Sequence, residues 1–162
     1  MTTKSAFTDA EWKTLMQAPF VAGMYITMAD PSLGDSFKES VAVASKVAKT
    51  ARSASGTELL VALAGEFSDF SNAAGAKPEF SARDVDAIKA EALADVKAAA
   101  TLLQQKATAA EAAEISQWLY DMGLTAAEAA KEGDFLGIGG VRVSDAEKAA
   151  LAHLAQALGV SV

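Results

Sequence analysis

Carboxylates one helical turn apart are the side chains of this sequence best able to do chemistry. Glu91 with Asp95, Glu111 with Glu114, and Glu128 with Glu132 each fall on one face if their segments are helical. Like charges at that spacing disfavour a helix by about 0.2–0.5 kcal/mol, so such pairs either signal a cation or basic partner or mark a solvated face. A carboxylate bridge holding two metal ions in a bundle also needs Glu-x-x-His pairs on facing helices. The sequence has none, since His153 is its single histidine. The absence of cysteine removes disulfides, thiolate nucleophiles, zinc ribbons and iron–sulfur ligation together.

A second candidate is the stretch KEGDFLGIGGVRVSDAEKAALAHLAQALGV, Lys131 to Val160, where four loop glycines stand beside bulky apolar residues. A phosphate-binding loop requires Lys-Ser or Lys-Thr after its glycines, and the dinucleotide fingerprint a third glycine; both are missing. A calcium loop requires alternating oxygen ligands, but Asp134 is followed by Phe, Leu, Gly and Ile. Two readings remain. The glycines form a tight connection that permits positive φ, or the loop faces a partner, because Phe135, Leu136 and Ile138 are costly to expose without use. His153 falls off the face made by Leu151, Leu154 and Leu158 and reads as an exposed or helix-packed residue. Trp118 and Tyr120 read as core or rim packing. No nucleophile–base pair or cofactor motif is visible, so the expectation is a protein that is not an enzyme.

The elements that position these residues are helices. Ser or Thr followed three residues later by Glu or Asp recurs at Thr8–Glu11, Ser55–Glu58, Ser81–Asp84, Thr108–Glu111, Thr125–Glu128 and Ser144–Glu147. In each, the hydroxyl can accept from an orphan backbone N–H while the carboxylate reaches back to the cap residue. Phe7 with Trp12 and Phe80 with Val85 add hydrophobic staples. Apolar residues then step by three and four along Val85, Ile88, Ala92, Val96, Ala99, Leu103, along Ala112, Ile115, Leu119, Met122, and along Leu151, Leu154, Leu158. Another stripe, Phe37, Val41, Ala44, Ala48, Ala51, predicts a helix whose Lys46, Lys49 and Arg52 suit the negative end of its dipole. Gly123 and Gly159 read as left-handed residues closing two helices. Pro19 predicts a kink or break in the first helix.

With 162 residues, 51% of them hydrophobic and only 3 prolines, the chain reads as all-α. The expectation is a single-domain bundle of about seven helices over 7–160, preceded by a flexible tail over 1–6. Much of the apolar content is alanine, which implies helices that approach closely. The run from Ala18 to Ala29 would span about 18 Å as a helix against roughly 30 Å of hydrocarbon, so it predicts a buried central helix rather than a membrane span. MTTKSAF lacks an apolar core followed by a small-residue cleavage site, which points to a cytoplasmic protein. A net charge of −7 and an isoelectric point near 4.7 repel a phosphate backbone and exclude nucleic acid as an expected partner.

ITMADPSLGDSFKESVAVASKVAK and AAKEGDFLGIGGVRVSDAEKAALAHLAQA share an order of features: a helix end, a loop acid (Asp30, Asp134), then a Glu (Glu39, Glu147) opening a small-residue helix. That order suggests an internal repeat. The second copy resembles the TerB-like helical proteins of tellurite resistance, which have two such halves with an acidic loop in each. The resemblance implies two pseudo-repeated halves, a binding or regulatory role in stress response with another protein as partner, and a divalent cation held through Asp30 and Asp134. Asp30 is followed by Pro31 and Asp134 by Phe135 where the family pattern has Gly. Oxygen ligands suit calcium, magnesium or manganese, and the lack of cysteine disfavours zinc or copper. The alternative is a phasin-like amphipathic protein coating a granule or membrane, although the acidic balance argues against anionic lipid.

Overall fold

Hydroxyl caps set where the helices begin. In a computed structural model, which describes residues 1–30, 36–53, 55–129 and 143–161, Thr8 opens α1 (Asp9–Thr27) with a full capping box: its side chain accepts from Glu11 N, and Glu11 accepts from Thr8 N at 2.7 Å. The chain continues through α2 (Ser36–Ser53), α3 (Glu58–Gly65), α4 (Phe70–Gly75), α5 (Val85–Lys106), α6 (Ala109–Ala129) and α7 (Asp145–Leu158). The described residues thus form an all-α single-domain bundle of seven α-helices, with short 3-10 turns at Lys4–Ala6 and Glu66–Ser68 and no strand. Thr108 and Ser144 make the same reciprocal box with Glu111 and Glu147. Gly159 closes α7 at φ 68°, a left-handed conformation that glycine adopts without a Cβ penalty.

Three of the expected caps fall elsewhere, because spacing alone does not say which residue has extended backbone. Thr57, not Ser55, caps α3, and Asp84, not Ser81, caps α5 through Ala87 N at 2.9 Å. Thr125 lies inside α6, its hydroxyl donating to Asp121 O at 2.7 Å. With α5 starting after Asp84, the Phe80–Val85 staple is lost and Val85 is exposed. Phe7 and Trp12 do staple α1, with ring centroids 5.7 Å apart.

The core is built around α1, which packs against α2, α5, α6 and α7. It buries Val21, Ala22, Tyr25 and Ile26, as the apolar run predicts, and Leu15 before it. The helix runs unbroken through Pro19, itself buried. Proline in a helix interior costs about 3 kcal/mol, and the packing of α1 against α2, α5, α6 and α7 offsets that cost. In α2 the expected stripe is on the wrong face: Glu39, Val43 and Val47 are buried while Val41 is exposed. The side chain of Phe37 lies outside the described residues. The reason is a close crossing. Gly23 of α1 leaves room for Val43, and a Cβ built there would lie 2.7 Å from Val43 Cγ2. Gly123, expected to end a helix, instead sits within α6 against Leu154 of α7 and Ile26 of α1. Three residues of α2 and three of α7 that the alignment pairs are alike in being buried. Glu39, Val43 and Val47 match Glu147, Leu151 and Ala155, one turn apart and all buried.

Residues 2–6, read from the sequence as a tail, are hydrogen-bonded to the bundle. Thr2 N donates to Glu111 Oε1 at 2.9 Å, Lys4 pairs with Glu66, and Lys106 Nζ donates to Ala6 O at 3.1 Å. Glu111 is buried and also accepts from Thr108 N at 2.9 Å and the Thr108 hydroxyl at 2.8 Å. These donors, the Thr2 amide foremost, hold its carboxyl at about 2 against the opposing effect of burial. A depressed carboxyl contributes stability that is complete above its ordinary value of 4.5 and lost as pH falls through the folded value. Glu111→Gln should therefore lower the melting temperature at pH 7, and the gap from wild type should close as the pH approaches 2. Melting curves followed by circular dichroism check this; a gap of constant size across that range rules it out.

Candidate functional site

A cleft of about 250 Å³ opens where α1, α2 and the segment after α4 meet. The α1 wall is Phe20, Gly23, Met24 and Thr27, one continuous face at intervals of three, one and three residues. Phe20 is fixed by an edge-on contact with Phe67, ring centroids 5.6 Å apart. The α2 wall carries Glu39 and Val43, both buried, and Ser40 at the opening. Gly23 brings these two walls together, because its missing side chain is what lets Val43 approach.

The third wall is Ala73 of α4 with Ala76, Lys77 and Pro78. Asp69 caps α4 by accepting from Ser71 N at 2.8 Å. Beyond it, Gln17 of α1 donates from Nε2 to Lys77 O at 2.8 Å and ties the rim to the core helix. Glu91 of α5 anchors the same connection further along. It accepts from Ser81 N at 2.9 Å, the Ser81 hydroxyl at 3.1 Å and Ala82 N at 3.0 Å. These backbone donors hold the Glu91 carboxyl below its ordinary value. The rim is therefore attached at two points, at Glu91 by charge-assisted bonds.

Three of the carboxylates singled out by spacing, Glu91, Glu111 and Glu114, act as clamps. Glu91 holds the α4–α5 connection, and burial together with the Glu91 charge pushes the Asp95 carboxyl up. Glu111 holds the N-terminal segment, and Glu114 accepts from Thr57 N at 2.7 Å and so fixes the start of α3. Glu128 is exposed on α6; Glu132 lies outside the described residues. His153 is exposed, its Nδ1 3.5 Å from the Tyr25 hydroxyl. Trp118 is buried and donates from Nε1 to Thr50 Oγ1 at 3.0 Å.

Of the residues proposed to bind a metal or a partner, Asp30 is half-buried just beyond the C-terminal end of α1. Asp134, Phe135, Leu136 and Ile138 lie outside the described residues. Among the described residues, no three or more His, Cys, Asp or Glu side chains are grouped to hold a metal ion, and no helix is long and apolar enough to cross a membrane. The cleft itself was not read from the sequence. Its signals were Gly23 inside an otherwise bulky apolar helix and Glu39 in register with Val43 and Val47, and both are visible only once α1 and α2 are placed side by side.

No family model matches the chain, and no curated protein or solved structure matches it. The TerB-like resemblance rests on the two quoted segments alone.

Proposed function

We propose that the protein is a binding or regulatory module rather than an enzyme, and that its cleft takes up a small, largely apolar molecule. The observation that carries this reading is the cleft's composition: apolar side chains on all three walls, drawn from three separate parts of the chain, with few polar groups between them. Ligand sites generally take this form, concave and mostly apolar with a small number of placed polar groups. Thr27 offers little reactivity, since its hydroxyl donates to Gly23 O at 3.2 Å. A divalent cation on Asp30 is not part of the proposal, because no grouped set of ligands accompanies it among the described residues.

The surface-coating alternative receives less support. Among the described residues, the large hydrophobic side chains left exposed are Met1, Val41 and Val85, which are scattered singly and form no apolar face. A coat needs such a face.

Indole serves as a neutral probe of suitable size, and amide chemical shifts report where it sits. Shifts should cluster at Met24, Val43 and Ala76. Ala73→Leu, which extends a half-buried wall residue into the cleft, should abolish them while leaving the melting temperature close to wild type. Shifts scattered over the surface, or unchanged by Ala73→Leu, would overturn the proposal.

A further inference from the structure

We infer that the protein has a second ligand site, in a groove where the ends of α5 and α7 converge on the first half of α6, and that this groove takes a small uncharged polyol of sugar size. The groove has a volume of about 500 Å³ and shares no lining residue with the cleft. Its floor is one face of α6, formed by Ala109, Ala112, Ala113 and Ser116 at spacings of three, one and three residues. These side chains are too short to fill the angle left by Ala107 after α5 and by Leu158 to Ser161 at the end of α7.

Ser116 is the observation that points to a ligand. It is 7% exposed, yet its hydroxyl has no hydrogen-bond partner among the described residues. Other helical hydroxyls in this chain bond back to the carbonyl one turn earlier: Thr14 to Ala10 O at 3.1 Å, Thr101 to Lys97 O at 2.8 Å and Thr125 to Asp121 O at 2.7 Å. Ser116 makes no such bond and lines the groove instead. A buried hydroxyl left unpaired is costly, and a guest hydroxyl meets it as donor or acceptor, since each group carries both functions. Gln104 and Ser161, exposed at the edges, make no side-chain hydrogen bond among the described residues either. Gln117 donates from Nε2 to Asp121 Oδ1 at 3.1 Å and keeps its carbonyl oxygen for a guest. No lining residue is charged. Lys106 and Glu111, next to the lining in sequence, are engaged with Glu11 and with Thr2 and Thr108. An ionised guest would therefore give up hydration with no opposite charge to replace it. A flat aromatic guest finds no ring to stack on. A cyclic polyol can lay its C–H groups on the alanines and direct its hydroxyls at Ser116 and the two glutamines. The volume suits it, since small-molecule sites generally measure about 300–1,000 Å³.

Amide chemical shifts of the full chain, titrated at physiological salt with glucose, myo-inositol, glucosamine, glucuronate and cyclohexanol, test the inference. The better binder of the two neutral polyols should give saturable shifts centred on Ala109, Ala113 and Gly159. The two ionised sugars and cyclohexanol should bind at least about fivefold more weakly. Ser116→Ala removes the hydroxyl oxygen alone and should weaken the polyol about two- to tenfold, the range of one neutral hydrogen bond, with the melting temperature unchanged or raised. Ala113→Leu, at an exposed position on the floor, should abolish the shifts by filling the groove. Equal or tighter binding of glucosamine or glucuronate would overturn the preference for an uncharged guest. Equal binding of cyclohexanol, or an affinity unchanged in Ser116→Ala, would overturn the reading of hydroxyls by Ser116. No saturable shift with either polyol, or shifts that survive Ala113→Leu, would overturn the site itself and leave the cleft between α1 and α2 unaffected, since the two share no residue.

Discussion

Ile26→Asp is expected to unfold the protein at room temperature or to bring it close to unfolding. Ile26 is fully buried in α1 and lies against Gly123 of α6, at the place where α1, α6 and α7 come together. An aspartate there has no water, and the buried residues placed with it at this crossing, Ala22 and Leu154, are apolar. Burying an unpaired carboxylate costs several kcal/mol even after its pKa shifts to neutralise it. A domain of this size is stable by about 5–15 kcal/mol in total. Val21→Asp, one and a half turns earlier on the same helix, should behave alike. Ile26→Val provides the scale, since it removes one methylene and should cost about 0.5–1.5 kcal/mol. Urea unfolding of the three variants checks the ordering. An Ile26→Asp midpoint near that of wild type would mean that α1 is not the central helix.

The second large effect concerns Gly123. A Cβ at this position would fall inside contact with Leu154 Cδ2 and lie 3.1 Å from Ile26 Cγ1. Alanine gains about 1 kcal/mol over glycine in a helix interior, while forcing atoms into a filled crossing costs about 1–3 kcal/mol. The opposing terms leave Gly123→Ala neutral to moderately destabilising. Gly123→Val adds two more carbons and a β-branched χ1, and should lose about 2–4 kcal/mol as α6 and α7 are pushed apart. Gly65, helical at φ −60° with nothing near its missing side chain, is the matched control. There the entropic gain is unopposed, and Gly65→Ala should stabilise by about 0.4–1 kcal/mol. Denaturant midpoints of the three variants give the signs directly. A stabilising Gly123→Val would show that α6 and α7 do not cross at this point.

Features decided within one turn of helix were legible in the sequence. The boxes at Thr8, Thr108 and Ser144, the Phe7–Trp12 staple and the end at Gly159 depend only on residues three to five apart, and each is present. The stripe of α5 from Ala92 onward and those of α6 and α7 were legible because apolar residues repeat there on one face, whereas Val85, placed in the α5 stripe, is exposed. The α2 stripe was not, because alanines and valines occur on several faces of that segment and only the partner chooses among them. Gly23 chose Val43. Gly123 was misread for a related reason: a glycine that ends a helix and a glycine that admits a neighbour look the same in one dimension. The cleft lay beyond reach for the most general reason. Phe20, Glu39, Val43 and Ala76 come from two helices and the segment after α4, and none of them carries a local signature of a site.

The central place of α1 also bears on how the chain reaches its fold. Its principal partners, α5 and α6, begin at Val85 and Ala109, so α1 is made well before the helices that cover it. At about 5–20 residues per second of synthesis, the apolar faces of Leu15, Val21 and Ile26 stay unpaired for on the order of ten seconds. Contacts between distant parts of the chain also slow folding relative to bundles whose neighbours in sequence are neighbours in space. During that interval α2 is the one long helix available to shelter α1, and the Gly23–Val43 crossing is where the two engage. A close fit that serves packing in the finished molecule thus doubles as the earliest protection against aggregation.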